Sequence, residues 1–482
     1  MLKIFTLSNL KKRWHSEGGY KEFINIAFPL ILSTGMWSVQ HFVDRMFLTW
    51  YSPESIAASM PAGMLNFSIV SIFLGTVSYT GTFVAQYFGA KQFRKIGPSI
   101  WQGIYLSFIG GIFILAFVPF SKSIFTFIGH ESAVMQNEII YFRILCMGAF
   151  PVLATAAMSG FYSGRGKTWP VMWVAAAGTA VNLILDYFLI FGNWIFPEMG
   201  IKGAAIATVC SAIATFLIYF ILVSKPSFNT QFATLKGWRL NTNLFRRVVF
   251  FGFPSGVQFF LDMAGFTVFI LIIGSLGTVS LAASNIAFNI NTLAFMPMIG
   301  GGIALSVLVG QYLGKNRPET AEKSAYSAFH LTFGYMAAVS ILYVVIPSVF
   351  IAPFAAKANP ENFAQIRDLA IVLLRFVAAY SLFDTMNIVF ANAIKGAGDT
   401  HYIMRTLALV SLIVLIIPTY IAIIVLKGGI YTGWAIGSLY VAILGFIFLF
   451  RFRKGKWKSM RVIEVSEPTI PSNFPEVPSG QI

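Results

Sequence analysis

Apolar stretches long enough to cross about 30 Å of hydrocarbon recur from one end of this chain to the other. They lie near 23–48, 55–80, 98–119, 136–158, 169–192 and 201–223. A second set lies near 246–273, 281–308, 325–347, 368–393, 405–426 and 430–451. Only 11% of the 482 residues are charged, against roughly 25% in a soluble domain. Even two large soluble cores could not hide this much apolar sequence, because a folded surface must still meet water. The 41 glycines suit a bilayer instead, since glycine lets membrane helices approach closely. The expected fold is an all-α integral membrane protein of twelve transmembrane helices. The opening MLKIFTLSNLKKRW lacks the charged, apolar and small-residue regions of a cleavable signal. The first helix is therefore expected to stay as an anchor.

A net charge of +16 raises the question of nucleic acid, but its distribution answers to the membrane. With the N-terminus in the cytoplasm, most Lys and Arg fall in inside loops and termini, among them Lys11, Lys12, Arg13, Lys91, Arg94, Lys95, Arg246 and Arg247. Outside loops hold Lys122, Lys202, Lys357, Arg367 and Lys427. That asymmetry is the positive-inside rule; it predicts both termini inside and no nucleic-acid partner. Cys146 and Cys210 both lie in expected helices and read as small apolar core residues, without disulfide or metal-ligand spacing.

The two sets of spans are copies of each other. A shift of 225 carries AFP at 27–29 onto GFP at 252–254, IAAS at 56–59 onto LAAS at 281–284, and VAQYFG at 84–89 onto VGQYLG at 309–314. Asn66 falls on Asn291 and Gly75 on Gly300. Later the shift is 232: Arg143 falls on Arg375 and SGRGKT at 163–168 on KGAGDT at 395–400. Six spans per half give both halves one orientation, so two pseudo-symmetric six-helix lobes should flank a site near the midplane. The expected divisions are a cytoplasmic segment over 1–22, an N-lobe over 23–223, a polar linker over 224–245 and a C-lobe over 246–451. A basic and then disordered tail, Pro-, Ser- and Glu-rich from about 463, covers 452–482.

Residues present once, where the repeat is broken, are the candidates for function. Asp44 stands opposite Phe269, Asp262 opposite Trp37, Asp384 opposite Val152, and Asp186 opposite Pro418. An ionised aspartate at the bilayer centre costs about 2.5–3.5 kcal/mol on insertion scales, so it faces water, a cation or a partner. A structural ion pair or a place near the headgroups is the plain alternative for each. Gln40 and His41 lie four and three residues before Asp44 on one helical face. Asn182 lies four before Asp186, and Asn387 three after Asp384. His41 is open to two readings, a proton relay and a hydrogen-bonded core histidine. Pro29, paired with Pro254, removes a helical hydrogen bond; a static kink and a hinge both fit. The hinge is favoured for Pro29, because Asp44 shares its helix. Arg143 and Arg375 read as scaffold. No H-E-x-x-H, phosphate-binding Gly-Lys loop or G-x-S-x-G is present, and SGRGKTW lacks P-loop spacing; the chain reads as no enzyme and without a cofactor.

Over roughly residues 20–450 the sequence resembles the multidrug and toxic compound extrusion (MATE) transporters. The resemblance rests on FPLILS with Asp44, VAQYFGAK, GRGKT, NLILDYFLIFG and PEMGIKGAAIAT in the first half. The second half adds GFPSG with Asp262, VGQYLGKNRPETAE, and Asp384 followed by KGAGDT. It implies a V-shaped pair of six-helix bundles and antiport of organic, often cationic or aromatic, small molecules against protons or sodium, by alternating access in a bacterial inner membrane. It places Asp44, Asn182 and Asp186 in the family's N-lobe cation site, the only place for sodium, with Thr208 as a further member. Asp262 replaces a helix 7 glutamate, and Asp384 matches a C-lobe acid, leaving the dominant lobe open. A monomer is expected. A lipid-linked saccharide flippase of similar layout is the alternative; its pyrophosphate substrate calls for inward cations, whereas the once-only internal charges here read as acids.

Overall fold

The computed structural model describes residues 7–355 and 360–464. The tail from 465 onward lies outside the described residues. The helices are α1 (Tyr20–Tyr51), α2 (Pro53–Gly89), α3 (Phe93–Leu115), α4 (Ser132–Met147 and Ala149–Ser163), α5 (Trp169–Phe191) and α6 (Ile201–Val223). The second half follows with α7 (Thr242–Gly274), α8 (Thr278–Gly314), α9 (Pro318–Val345), α10 (Phe363–Ala397), α11 (Thr400–Val425) and α12 (Ile430–Arg453). Eleven are single helices long and apolar enough to cross a membrane. The bent pair of α4, turning by 43°, makes the twelfth crossing. No strand occurs among the described residues.

Local chemistry sets several boundaries. Ser52 caps α2 by accepting from the Ser55 N–H at 3.0 Å, with Pro53 in the first turn where its missing N–H does no harm. Asn241 caps α7 in the same manner, so α7 begins inside the stretch expected to be linker. The helices α2 and α8 run to Gly89 and Gly314, well past the apolar windows at 55–80 and 281–308. Hydropathy stops where the polar motifs begin, but these motifs face the other lobe instead of water. In α11, two π-helical stretches, Ser411–Ile416 and Ile421–Val425, flank Pro418. Proline removes a backbone donor, and a widened turn is one way a helix absorbs that loss.

The duplicated residues meet across the lobe interface. Gln86 Nε2 donates to the Gly396 carbonyl at 3.0 Å, and Gln311 Nε2 donates to the Gly164 carbonyl at 2.8 Å. Donors and acceptors are repeat mates, so one bond is made twice about a pseudo-two-fold. A Cβ added to Gly89 would collide with the Gln311 carbonyl oxygen, and one added to Gly314 with that of Gln86. Lipid is as apolar as leucine, so close backbone approach and interhelical hydrogen bonds hold such an interface.

One core spans both halves at this end, joining Phe23, Leu30, Phe83 and Phe161 to Leu305, Leu308, Tyr312, Phe390 and Phe448. At the opposite end the halves keep separate cores. Leu48, Phe125, Phe142 and Leu153 pack in the first; Phe269, Tyr343, Leu373 and Trp434 pack in the second. Thr34 Oγ1 to the Met296 carbonyl, at 3.3 Å, and the Phe67 and Phe259 rings, 5.7 Å apart, are the last links. Beyond this level no hydrogen bond or ring contact joins the lobes among the described residues. The lobes form a V whose closed end carries residues 18 and 464.

The linker is packed rather than free. Its short helix Pro226–Phe232 sets Phe228 and Phe232 beside Phe161 and Tyr162, and the Arg165 guanidinium lies 3.8–5.2 Å from the four ring centres. Arg165 Nε also donates to the Phe161 carbonyl at 2.8 Å, and Trp101 donates to the Thr234 carbonyl at 2.6 Å. Arg165→Ala is expected to weaken this docking by about 1–2 kcal/mol. Limited trypsin digestion at Lys236 and Arg239, both exposed, should accelerate, and an unchanged cleavage rate would refute the box as the anchor.

Candidate functional site

The first cluster lies inside the N-lobe, where α1 crosses α5. The helix α5 is fixed on both sides: Thr179 Oγ1 donates to the Met36 carbonyl of α1 at 3.4 Å, and Ser211 of α6 donates to the Gly178 carbonyl at 2.9 Å. One turn further along α5, Asn182 and Asp186 point at Asp44. The Asn182 amide, placed so that both contacts are hydrogen bonds, donates to Asp44 Oδ1 at 2.9 Å and Asp186 Oδ2 at 3.2 Å. Asp44 is 6% exposed, and Asn182 and Asp186 are fully buried. Asp186 Oδ1 has no hydrogen-bond partner. No Lys, Arg or His among the described residues forms an ion pair with either carboxylate. A buried carboxylate pair thus shares one amide, with one oxygen left open.

The neighbours named from sequence divide here. The Thr208 hydroxyl donates to the Ala204 carbonyl of its own helix at 3.0 Å. His41 is exposed and meets Trp37 edge-on at 4.9 Å; Trp37 in turn lies 5.6 Å from Phe67. With Phe259 these rings form the floor of the V. Gln40 is half-buried. Helical spacing put Gln40, His41 and Asp44 on one face, but a face is wide enough for Asp44 to enter the lobe while His41 looks into the cleft. Pro29 is buried inside an unbroken α1.

The second cluster lies in the C-lobe. Asn387 Nδ2 donates to Asp384 Oδ1 at 3.0 Å. Asp262 is hydrogen-bonded to Gln258 and lies close enough to Asp384 and Lys395 to interact with their charges. Tyr440 of α12 neighbours both aspartates and bonds Ser411, at the π-helical turn of α11, at 2.9 Å. The repeat explains the asymmetry between lobes. Phe269, the mate of Asp44, is core, packed on Phe288 with its ring against Gly437. Asp262, the mate of the cleft residue Trp37, is exposed.

Sequence reasoning missed three residues. Tyr141 is buried beside both N-lobe carboxylates, and Tyr440 is described above; nothing in their local sequence marks either tyrosine. Lys395 is different. It stands opposite Ser163, so the broken-symmetry test marks it, and the test applied to acids alone misses it. The expectation that every once-only internal charge is acidic is corrected at this position. Arg143, read as scaffold, donates to the Ser121 hydroxyl at 2.7 Å.

The family model described as MatE matches residues 29–188 and 254–421, one block in each half. The chain belongs to the MatE family. A probable multidrug resistance protein NorM of Brucella suis is 26% identical over 381 residues, 78% of this chain and 81% of that one. Two solved structures share the MATE fold. One, a MOP superfamily transporter from Pyrococcus furiosus, matches with TM-score 0.83 at 19% identity, over 93% of this chain and 98% of its own. The other is an outward-facing conformation of a multidrug resistance MATE family transporter. It matches with TM-score 0.83 at 20% identity, over 92% and 98%. As a MATE family member the chain is a multi-pass membrane transporter of the multidrug efflux type and not an enzyme.

Proposed function

We propose that this transporter exports organic, cationic or aromatic compounds in exchange for protons or sodium ions by alternating access. One observation carries the reading: Asp44 and Asp186 are buried together around Asn182, and no cation among the described residues forms an ion pair with either. Two carboxylates in low dielectric repel each other unless a proton or a cation lies between them. A proton can join them directly. Sodium would take carboxylate oxygens and the Asn182 carbonyl, which a rotation of the amide presents. Either event removes the demand for the amide N–H groups that now tie α5 to α1. In this reading Pro29 lets α1 bend as those bonds rearrange.

The cleft supplies the substrate side. Trp37, Phe67, His41 and Phe259 offer ring faces, and Asp262 and Asp384 a negative wall, which together suit a flat lipophilic cation. In the C-lobe, Asn387 steadies Asp384, and Lys395 makes that acid pair less hungry for cations than the N-lobe pair. Substrate and coupling ion then weaken each other's binding reciprocally. We place the N-lobe at 23–223, the C-lobe at 246–451, both termini in the cytoplasm and the monomer in a bacterial inner membrane.

The test is ethidium or fluoroquinolone efflux from proteoliposomes under a pH gradient at zero sodium, and under a sodium gradient at fixed pH. One gradient should support at least about tenfold faster export than the other. Export that persists with both gradients collapsed would refute antiport.

A further inference from the structure

The chain leaves α6 and α12 at repeat-equivalent places, yet takes different routes. After α6 it stays on its own lobe, held by the Arg165 box and Trp101. After α12 it crosses the closed end of the V. Trp457 is buried, stacked on Phe452 with ring centres 4.9 Å apart, and its Nε1 donates to the Phe452 carbonyl at 2.9 Å. Lys458 pairs with Glu322 at 2.6 Å, and Arg461 donates to Asn316 Oδ1 at 3.2 Å, both on the second half. Val462 is fully buried; its N–H donates to Gln86 Oε1 at 2.8 Å and its carbonyl accepts from Arg247. Ile463 is buried as well. Glu464 then reaches the first half, pairing with Lys95 at 3.2 Å and accepting from the Tyr87 hydroxyl at 2.9 Å, while also pairing with Arg247 at 2.5 Å.

Gln86 is where this strap meets the symmetric latch. Its Nε2 bonds the other lobe at Gly396, as Gln311 Nε2 bonds Gly164, and its Oε1 accepts the strap. Burial works against the Glu464 carboxylate, but its own backbone N–H, Tyr87, Arg247 and Lys95 outweigh that and hold it below the ordinary glutamate range. It therefore stays charged at neutral pH.

We propose that residues 457–464 are a tie that holds the two lobes together at the closed end and must release before that end can open. The tie rests on the rocking of lobes proposed above and regulates it, without taking part in ion binding. Trp457, Lys458 and Arg461 fix it to the second half, and Val462 and Glu464 carry it onto Gln86, Tyr87 and Lys95 of the first.

The test uses spin labels at Arg94→Cys and Glu319→Cys, exposed repeat mates on opposite lobes, with Cys146→Ala and Cys210→Ala removing the native thiols. Distances are read in lipid nanodiscs without substrate or ion gradient. A chain ended after Glu464 should match the full chain. One ended after Met460 should gain a longer-distance population on the order of tenfold, and Glu464→Gln about twofold. The tie is overturned if ending after Met460 leaves the distribution unchanged, or if ending after Glu464 changes it equally. Should the shorter chain not elute as one species, Val462→Asp in the full chain carries the same expectation and the same refutation. Gly89→Ala, which forces the lobes apart at Gln311, is the control: if it alone lengthens the distance, rocking stands and the tie falls.

Discussion

Asp44→Asn and Asp186→Asn are each expected to reduce gradient-driven export by about 10- to 100-fold while leaving the protein folded. Asparagine keeps the shape of aspartate, so the packing of α1 on α5 survives. What is lost is the charge that makes a proton or cation worth binding at the Asn182 bridge. The double variant should be no worse than either single one, because residues that act as a unit are not additive. Binding distinguishes coupling from damage. Substrate affinity of the unaltered protein should fall as the coupling ion is added, and that dependence should vanish in both variants. A variant that keeps ion-dependent affinity would remove Asp44–Asn182–Asp186 from the mechanism. Asn182→Ala tests the bridge itself: with no amide between them, the two carboxylates should retain ion binding but lose its transmission to α5.

The second large effect is expected at the pseudo-two-fold. Gly89→Ala and Gly314→Ala each push a methyl group into a backbone carbonyl on the other lobe, Gln311 and Gln86 respectively. Backbone cannot swing aside as a side-chain end can, and overpacking of this kind costs about 1–3 kcal/mol. Both variants should melt several degrees lower in detergent, by similar amounts, since the sites are mates. Gly334→Ala on α9 is the contrast, for an added Cβ there meets nothing within 4 Å. It should be neutral or stabilising by up to about 1 kcal/mol. Equal melting of all three would show that the closed end is not held by these contacts.

The duplicated motifs show how far sequence reasoning reaches. Gln86/Gln311 and Gly89/Gly314 were legible as scaffold because they repeat. That they bond across the interface was not legible, since a repeat shows that two residues are equivalent, never that they touch. The α7 start at Thr242 and the runs of α2 and α8 to Gly89 and Gly314 were misjudged for a related reason. Hydropathy measures a residue's fit to lipid: the ends of α2 and α8 are surrounded by protein, and the polar first turn of α7 is set by the Asn241 cap. Polarity marked 224–245 as a linker but not its docking on Arg165, and it put Ile463 in a disordered tail, although Ile463 is buried beside Val462, which Gln86 and Arg247 hold.

The amino-acid sequence by itself determined the twelve-helix, twofold-repeated plan and the family, because span length, repeat register and motif strings are properties of one dimension. It also singled out Asp44, Asp186, Asp262 and Asp384, since an acid in an apolar run is expensive, but not Asp399, which is buried and paired with Arg451. The tertiary structure decided which of those acids form a site. Asp44 and Asp186 are separated by four helices' worth of chain, and only the crossing of α1 and α5 brings them onto one amide. It also decided that His41 looks into the cleft while Asp44, three residues away, does not. Charge is carried by the residue, but the partner and the dielectric that give it a function come from whatever the fold packs beside it.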